Sequence, residues 1–208
     1  MNPTTFSEYN ISQKPALDLL QKMGYTYIPP EECERQRGDL YGVLLKEILR
    51  ERLAAFNRYE YGGSEYRFSP ANIERAADEL DEPLGSNLIA ASEKVYDDLM
   101  LGKSYPETLP DGRSVNFNLR YIDWEHPENN VFHVTEEFTV HSIDGQHNTR
   151  PDIVLFVNGI PFAVIECKAP TVSVEQAISQ MIRNQKPEYT PQLFKFAQIV
   201  LATNKDFV

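Results

Sequence analysis

The sequence has little cysteine and no long apolar run. Cys33 and Cys167 are its two cysteines, too few for a disulfide framework and without the spacing of a zinc knuckle, so we predict two free thiols. No stretch of about 18 apolar residues occurs, which excludes a membrane-spanning helix. The start of the chain lacks the basic and apolar segments of a secretion signal. We therefore expect a cytoplasmic protein that does not contact membranes.

Basic charge is also scarce. The chain has 20 basic and 31 acidic residues, a net charge of −11, and the acidic excess is spread over both halves. Proteins that hold nucleic acid by bulk charge gain affinity when Lys and Arg displace counterions. This composition excludes such an autonomous binder, so any DNA must be presented by another part. The Gly-x-x-x-x-Gly-Lys-Ser/Thr loop that binds ATP phosphates is absent as well.

Residues 1–105 are predicted to be mainly helical. Apolar residues recur at helical spacing in four segments, which are about 12–23, 39–56 with Asp39 as cap, 69–82 opened by Ser69 and Pro70, and 86–102 opened by Ser86. The acidic run at 31–34 is predicted to be a solvated loop.

Residues 106–208 change to the period of strands. Segments 114–121 and 132–140 alternate and are expected to pair antiparallel. Segments 153–157 and 160–165 are apolar on both faces and flank an Asn158-Gly159 turn, so they are predicted to be central strands. A helix from Ser173 to about Asn184 and a last buried strand at 196–203 follow. We predict one α/β domain over 1–208, with a mixed central sheet flanked by helices. The chain ends soon after a core strand, which indicates a fragment of a longer protein.

Three charged residues mark the ends of the two central strands. Asp152 precedes the first strand, and Glu166 and Lys168 end the second, two residues apart and therefore on one face, with Cys167 on the other. The carboxylates of Asp152 and Glu166 are oxygen ligands that suit Mg²⁺. Lys168 would orient or help deprotonate a water and offset charge that builds up on phosphorus. A bare Glu-x-Lys is usually a structural ion pair. The joint pattern with Asp152 and the two apolar strands favours a site.

The same residues carry a family resemblance. The segment RPDIVLFVNGIPFAVIECK at 150–168 has the Pro-Asp and Glu-x-Lys elements of PD-(D/E)xK nucleases, and it closely resembles the N-terminal nuclease domain of the restriction (R) subunit of Type I restriction-modification enzymes. Further similar segments are LQKMGY at 20–25, YIDWEHPENN at 121–130, FTV at 138–140 and PQLF at 191–194.

The resemblance implies a restriction-endonuclease-like core and Mg²⁺-dependent cleavage of double-stranded DNA, with Asp152, Glu166 and Lys168 as catalytic residues. Asp152 and Glu166 would hold the metal, with Glu8 on an early helix as a further ligand. The family's Gln-x-x-x-Tyr element places Gln180 in the site, but Asn184 stands where tyrosine is expected.

The resemblance also implies partners. ATP-driven motor domains would follow downstream, and modification and specificity subunits would complete the complex, so that these parts grip and read the DNA. Two alternatives stay open: an assembly or DNA-clamping module of the same fold whose metal site has decayed, and a standalone repair-type nuclease.

The turn at Asn158-Gly159 tests the metal site. A regular two-residue hairpin pairs Asp152 with Ile165, which puts Asp152 and Glu166 on opposite faces. A shared metal needs both on one face. We therefore predict a three-residue loop with a bulge at Gly159, or failing that a bulge elsewhere between Asp152 and Glu166.

Overall fold

The computed structural model describes residues 8–85 and 87–204. A π-helical turn (Tyr9–Gln13) opens this part of the chain and a 3₁₀ turn lies at Pro127–Asn129. The helices are α1 (Lys14–Lys22), α2 (Pro30–Arg37), α3 (Lys46–Phe56), α4 (Pro70–Leu80), α5 (Leu88–Leu101), α6 (Val174–Asn184) and α7 (Pro191–Phe194). The strands are β1 (Thr26–Tyr27), β2 (Arg58–Tyr61), β3 (Ser64–Arg67), β4 (Lys103–Thr108), β5 (Ser114–Leu119), β6 (Phe132–Glu136), β7 (Val140–His141), β8 (Asn148–Thr149), β9 (Ile153–Val157), β10 (Ile160–Cys167) and β11 (Ile199–Thr203). Among the described helices, none is long and apolar enough to cross a membrane.

The central sheet has five strands in the order β1-β6-β9-β10-β11. β1 runs parallel to β6 and β11 runs parallel to β10, whereas β9 is antiparallel to both its neighbours. A parallel pair needs a long crossover, and α6 provides it between β10 and β11. The predicted mixed α/β fold with β9 and β10 at the centre is confirmed.

Helices cover both faces of this sheet. On one face, odd-numbered residues of β9 and β10 such as Ile153 and Ile165 pack with Leu17 of α1. On the other face, even-numbered residues such as Val154 and Val164 belong to a larger core that includes Met181 of α6 and side chains of α3 and α4. Every residue of β9 is buried, which explains why its sequence is apolar throughout rather than alternating.

The helical part differs from the sequence prediction in several places, and the strands β1, β2 and β3 also lie within it. Asp39 does not cap a helix: its Oδ1 accepts from the backbone of Tyr41 and Gly42 in a turn, and α3 begins only at Lys46. The intervening residues 43–45 are three consecutive buried side chains, which one face of a helix cannot bury together. The acidic run 31–34 is helical in α2 rather than a loop. Ser86, the predicted start of the fourth helix, lies outside the described residues, and Asn87 caps α5.

The strand pairing also differs. β5 does not pair with 132–140; it pairs antiparallel with β4 in a separate hairpin. Pro106 lies inside β4 and hides it in the sequence, because proline is a poor strand signal. The predicted buried strand at 196–203 begins later, as β11, and lies at the sheet edge with Ile199 and Val200 exposed.

The β9–β10 hairpin has a two-residue turn and a bulge. Val157 faces Ile160, and Asn158 and Gly159 both have positive φ, at 53° and 81°, as tight hairpin turns require. The predicted bulge at Gly159 is therefore wrong. The register shifts instead between Pro161 and Ala163, so that Ile153 faces Ile165. Extending this register by one residue sets Asp152 opposite Glu166 and on the same face, which is the alternative that the sequence analysis allowed.

Candidate active site

Asp152 and Glu166 meet where β9 begins and β10 ends. Oδ2 of Asp152 accepts a hydrogen bond of 2.7 Å from the backbone N–H of Cys167, which ties the aspartate to the opposite strand. Glu166 is 2% exposed. The structure thus brings the two predicted carboxylates together, because the bulge corrects the register by one residue.

Glu166 accepts two side-chain donors through one oxygen. Lys168 Nζ donates to its Oε1 at 2.8 Å, and Gln180 Nε2, from α6, donates to the same atom. Both donors were singled out in the sequence, one by its spacing and the other by the family resemblance. The second oxygen of Glu166 and Oδ1 of Asp152 have no hydrogen bond from any described residue.

Burial raises the pKa of both carboxyl groups, and nearby negative charge adds to the effect. Burial, followed by the negative charge of Glu166, raises the pKa of Asp152 to about 7. Burial also raises the pKa of Glu166, since Lys168 and Gln180 offset only part of the effect. Burial alone would lower the pKa of Lys168, but its hydrogen bond to Glu166 and the negative charges of Glu166, Glu8 and Asp152 together outweigh burial and raise the pKa. The lysine is therefore charged at neutral pH, whereas the carboxylates lack a full set of counter-charges.

The N-terminal segment closes the site from the strand ends. Glu8 Oε2 accepts from the backbone N–H of Ala169 at 3.1 Å, so the structure places this predicted residue beside Lys168. Ser12 Oγ donates to the carbonyl of Lys168 at 2.7 Å, and Gln13 Nε2 donates to the carbonyl of Asp152 at 3.2 Å. Sequence reasoning missed Ser12 and Gln13, because Pro15 obscures the helix register and short polar residues before a helix usually face water.

An open cleft of about 600 Å³ adjoins the site. It is polar and is lined by Lys168, Ser173, Glu175, Gln176, Ser179, Gln180 and Arg183. A larger cavity of about 790 Å³ between α5 and the segment before α7 is mostly apolar, and none of the predicted site residues lines it. The chemistry favours the smaller cleft, since a shallow polar groove suits a charged polymer backbone better than a small apolar ligand.

Comparisons with known proteins identify the family of the chain. Residues 5–208 match the family described as the N terminus of the Type I restriction enzyme R protein. The chain belongs to this family. Two relatives are the Type I restriction enzyme HindI endonuclease subunit of Haemophilus influenzae, 28% identical over 205 residues, and the EcoprrI endonuclease subunit of Escherichia coli, 25% identical over 201 residues. The first match covers 90% of this chain and 17% of the relative, and the second covers 95% and 56%.

Asn184 occupies the position where the Gln-x-x-x-Tyr element of the family has a tyrosine. Asn184 is 2% exposed, and its carbonyl accepts from the backbone of Thr190 at 3.1 Å. No described hydrogen bond of Asn184 reaches Asp152, Glu166 or Lys168. The residue at the expected tyrosine position therefore packs at the end of α6, and Gln180 is the part of that element that contacts the site.

The donor set at the strand ends fits Mg²⁺. Within residues 8–85 and 87–204, no three His, Cys, Asp or Glu side chains gather as a ready metal cage. Mg²⁺ needs no such cage, since it binds through one or two carboxylates, several waters and substrate phosphates. Asp152 and Glu166 are two such carboxylates, each with one oxygen that accepts no hydrogen bond from the described residues, and a bound cation would offset the burial and negative charge that raise their pKa values.

Proposed function

We propose that this chain is the Mg²⁺-dependent endonuclease domain of a Type I restriction enzyme R subunit, and that it hydrolyses phosphodiester bonds of double-stranded DNA in a restriction-modification system of the cytoplasm. The observation that carries the proposal is the β9–β10 register, which sets Asp152 opposite Glu166 with Lys168 and Gln180 on the same glutamate. Family membership alone would not distinguish an intact site from a decayed one.

Each site residue has a role that follows from its position. Asp152 and Glu166 would hold the ion, with Glu8 as an additional ligand through the oxygen that does not accept from Ala169. A bound Mg²⁺ would supply a polarised phosphate and a more acidic water. Lys168, charged at neutral pH, would stabilise negative charge on the phosphate rather than remove a proton. Gln180 orients the glutamate by holding one of its oxygens.

The net charge of the chain supports a separation of DNA cleavage from DNA binding in the whole enzyme. The chain spans about a sixth of the HindI relative and about half of the EcoprrI relative. A domain with net charge −11 would not grip duplex DNA by itself. We therefore propose that ATP-driven motor domains deliver the DNA, and that modification and specificity subunits select it.

The test uses the assembled restriction complex that contains this chain. Asp152→Asn, Glu166→Gln and Lys168→Met are each expected to reduce DNA cleavage at least about 100-fold, the cost typical of removing one group that stabilises a transition state. ATP hydrolysis should be unchanged. Glu51→Gln, an exposed carboxylate of α3, is the matched control and should cleave normally.

The outcomes separate this proposal from an inactive module of the same fold. Normal cleavage by any one site variant would remove that residue from the mechanism. If the parent chain itself binds no Mn²⁺ or Mg²⁺ in calorimetric titration, it is an inactive assembly or clamping module of the same fold. Loss of ATP hydrolysis together with cleavage would indicate misfolding of the complex.

A further inference from the structure

The backbone at two proposed site residues lies outside the paired strands. β9 begins at Ile153 and β10 ends at Cys167, so antiparallel pairing does not hold the peptide groups of Asp152 and Lys168. Two backbone bonds anchor them in part: Lys168 N–H donates to Thr203 at 2.8 Å, and Asp152 C=O accepts from Glu137 at 3.0 Å. The carbonyl of Lys168 and the second lone pair of the Asp152 carbonyl still need partners.

The π-helical turn supplies these partners. Ser12 donates to the Lys168 carbonyl and Gln13 donates to the Asp152 carbonyl, across 156 and 139 residues of sequence. Both donors are buried, at 8% and 3% exposure. The wider i→i+5 turn rotates successive residues less than an α-helix does, so both neighbours face the strand ends. Turns of this kind are rare and often occur at functional sites.

Gln13 also organises the acidic groups beside the site. Its Nε2 lies 3.2 Å from Glu136 Oε2 and 3.4 Å from Glu137 Oε1, in addition to the Asp152 carbonyl. An amide nitrogen has two hydrogens, so it serves three acceptors by sharing them. A neutral donor can gather two carboxylates without changing the charge near the proposed metal ligands. A glutamate or a lysine at position 13 would change that charge.

We propose that Ser12 and Gln13 are positioning residues of the nuclease site. They set the backbone at Lys168 and Asp152, and thereby the spacing between the lysine ammonium and the two carboxylates. This inference rests on the proposed function. Partners that orient metal ligands typically account for about 10- to 100-fold in metal affinity or activity. We therefore expect the affinity of the chain for a divalent cation to fall at least about 10-fold when either donor is removed.

The experiment titrates the metal-free chain with Mn²⁺ by calorimetry and measures amide hydrogen exchange at Lys168 and Ala169. Ser12→Ala and Gln13→Met remove one donor each with little change in volume. Both should weaken Mn²⁺ binding about 10-fold or more, and Ser12→Ala should speed exchange of both amides. Ser12→Thr keeps the hydroxyl and should restore binding. Gln21→Met, an exposed glutamine of α1, is the matched control and should bind like the parent.

Three results would overturn the inference or its basis. Parent-like Mn²⁺ affinity in Ser12→Ala and Gln13→Met, while Glu166→Gln loses binding, refutes the positioning role and leaves the proposed function intact. Parent-like affinity in Glu166→Gln refutes the proposed function itself. A lowered unfolding temperature with unchanged affinity of the folded chain shows that the two donors only stabilise the fold. Because Ser12 and Gln13 are tested separately, failure of one variant to fold still leaves the other decisive.

Discussion

Gly159→Ala tests whether close packing of the β9–β10 turn maintains the register at the site. Gly159 has a φ of +81°, and a Cβ there would lie 2.5 Å from the carbonyl oxygen of Leu45 and 3.1 Å from the nitrogen of Leu49. Both neighbours are backbone atoms at the start of α3, so they cannot rotate away. The backbone N–H of Leu45 also donates to the Gly159 carbonyl at 2.8 Å, which holds the turn against the helix.

The expected loss has two parts. A left-handed conformation costs a residue with a Cβ about 1–2 kcal/mol, and forcing an extra carbon into a filled site costs about 1–3 kcal/mol. Gly159→Ala should therefore lower the free energy of unfolding by about 2–5 kcal/mol. Gly145 is the matched control, because its φ is +67° and no atom lies within 4 Å of the position that a Cβ would take. Gly145→Ala should lower the free energy of unfolding only by the conformational cost of about 1–2 kcal/mol.

Urea unfolding followed by circular dichroism measures the difference. The midpoint of Gly159→Ala should fall below that of Gly145→Ala at an unchanged m-value, which would locate the effect in the native state. Equal midpoints for the two variants would show that the turn can move away from α3. The argument that tertiary packing holds this register would then be wrong.

Three further predictions follow from burial and charge. Burial lowers the pKa of Lys195 from 10.5 to about 8, so the unfolded chain binds more protons between these values and stability should rise with pH across that window. Lys195→Met should remove this rise, so its free energy of unfolding relative to the parent should be about 2–3 kcal/mol higher at pH 7 than at pH 10. In urea unfolding, a difference between the two proteins that stays constant with pH would contradict this. Cys33 and Cys167 are buried, and burial raises the pKa of Cys167 to about 12. A thiol reagent should therefore label neither cysteine in the native state and both cysteines in urea. Rapid labelling of the native protein would contradict this packing. The chain alone should bind duplex DNA with a Kd of about 10⁻⁴ M or weaker at physiological salt; tight binding with a steep salt dependence would reveal a basic groove that outweighs the net charge.

Local patterns were enough to predict much of the molecule. The two apolar runs around Asn158-Gly159 became the central strands because burial on both faces requires apolar residues at every position. Ser69 caps α4 and Ser173 caps α6, since a hydroxyl before a helix satisfies free N–H groups with no tertiary help. The spacing of Glu166 and Lys168 also follows from the strand period alone.

The tertiary structure decided the features that depend on distant neighbours. The sequence indicated that a bulge was needed to join Asp152 to Glu166, but the tight turn packs against α3 and so the extra residue sits at Phe162 instead. The partner of β5 and the role of Gln13 were equally hidden. A strand pairs with the strand edge that the fold brings next to it. The function of the buried Gln13 amide depends on acceptors more than 120 residues away in the sequence. Periodicity records which face of an element is buried, and it carries no information about which residues lie on the other side of the contact.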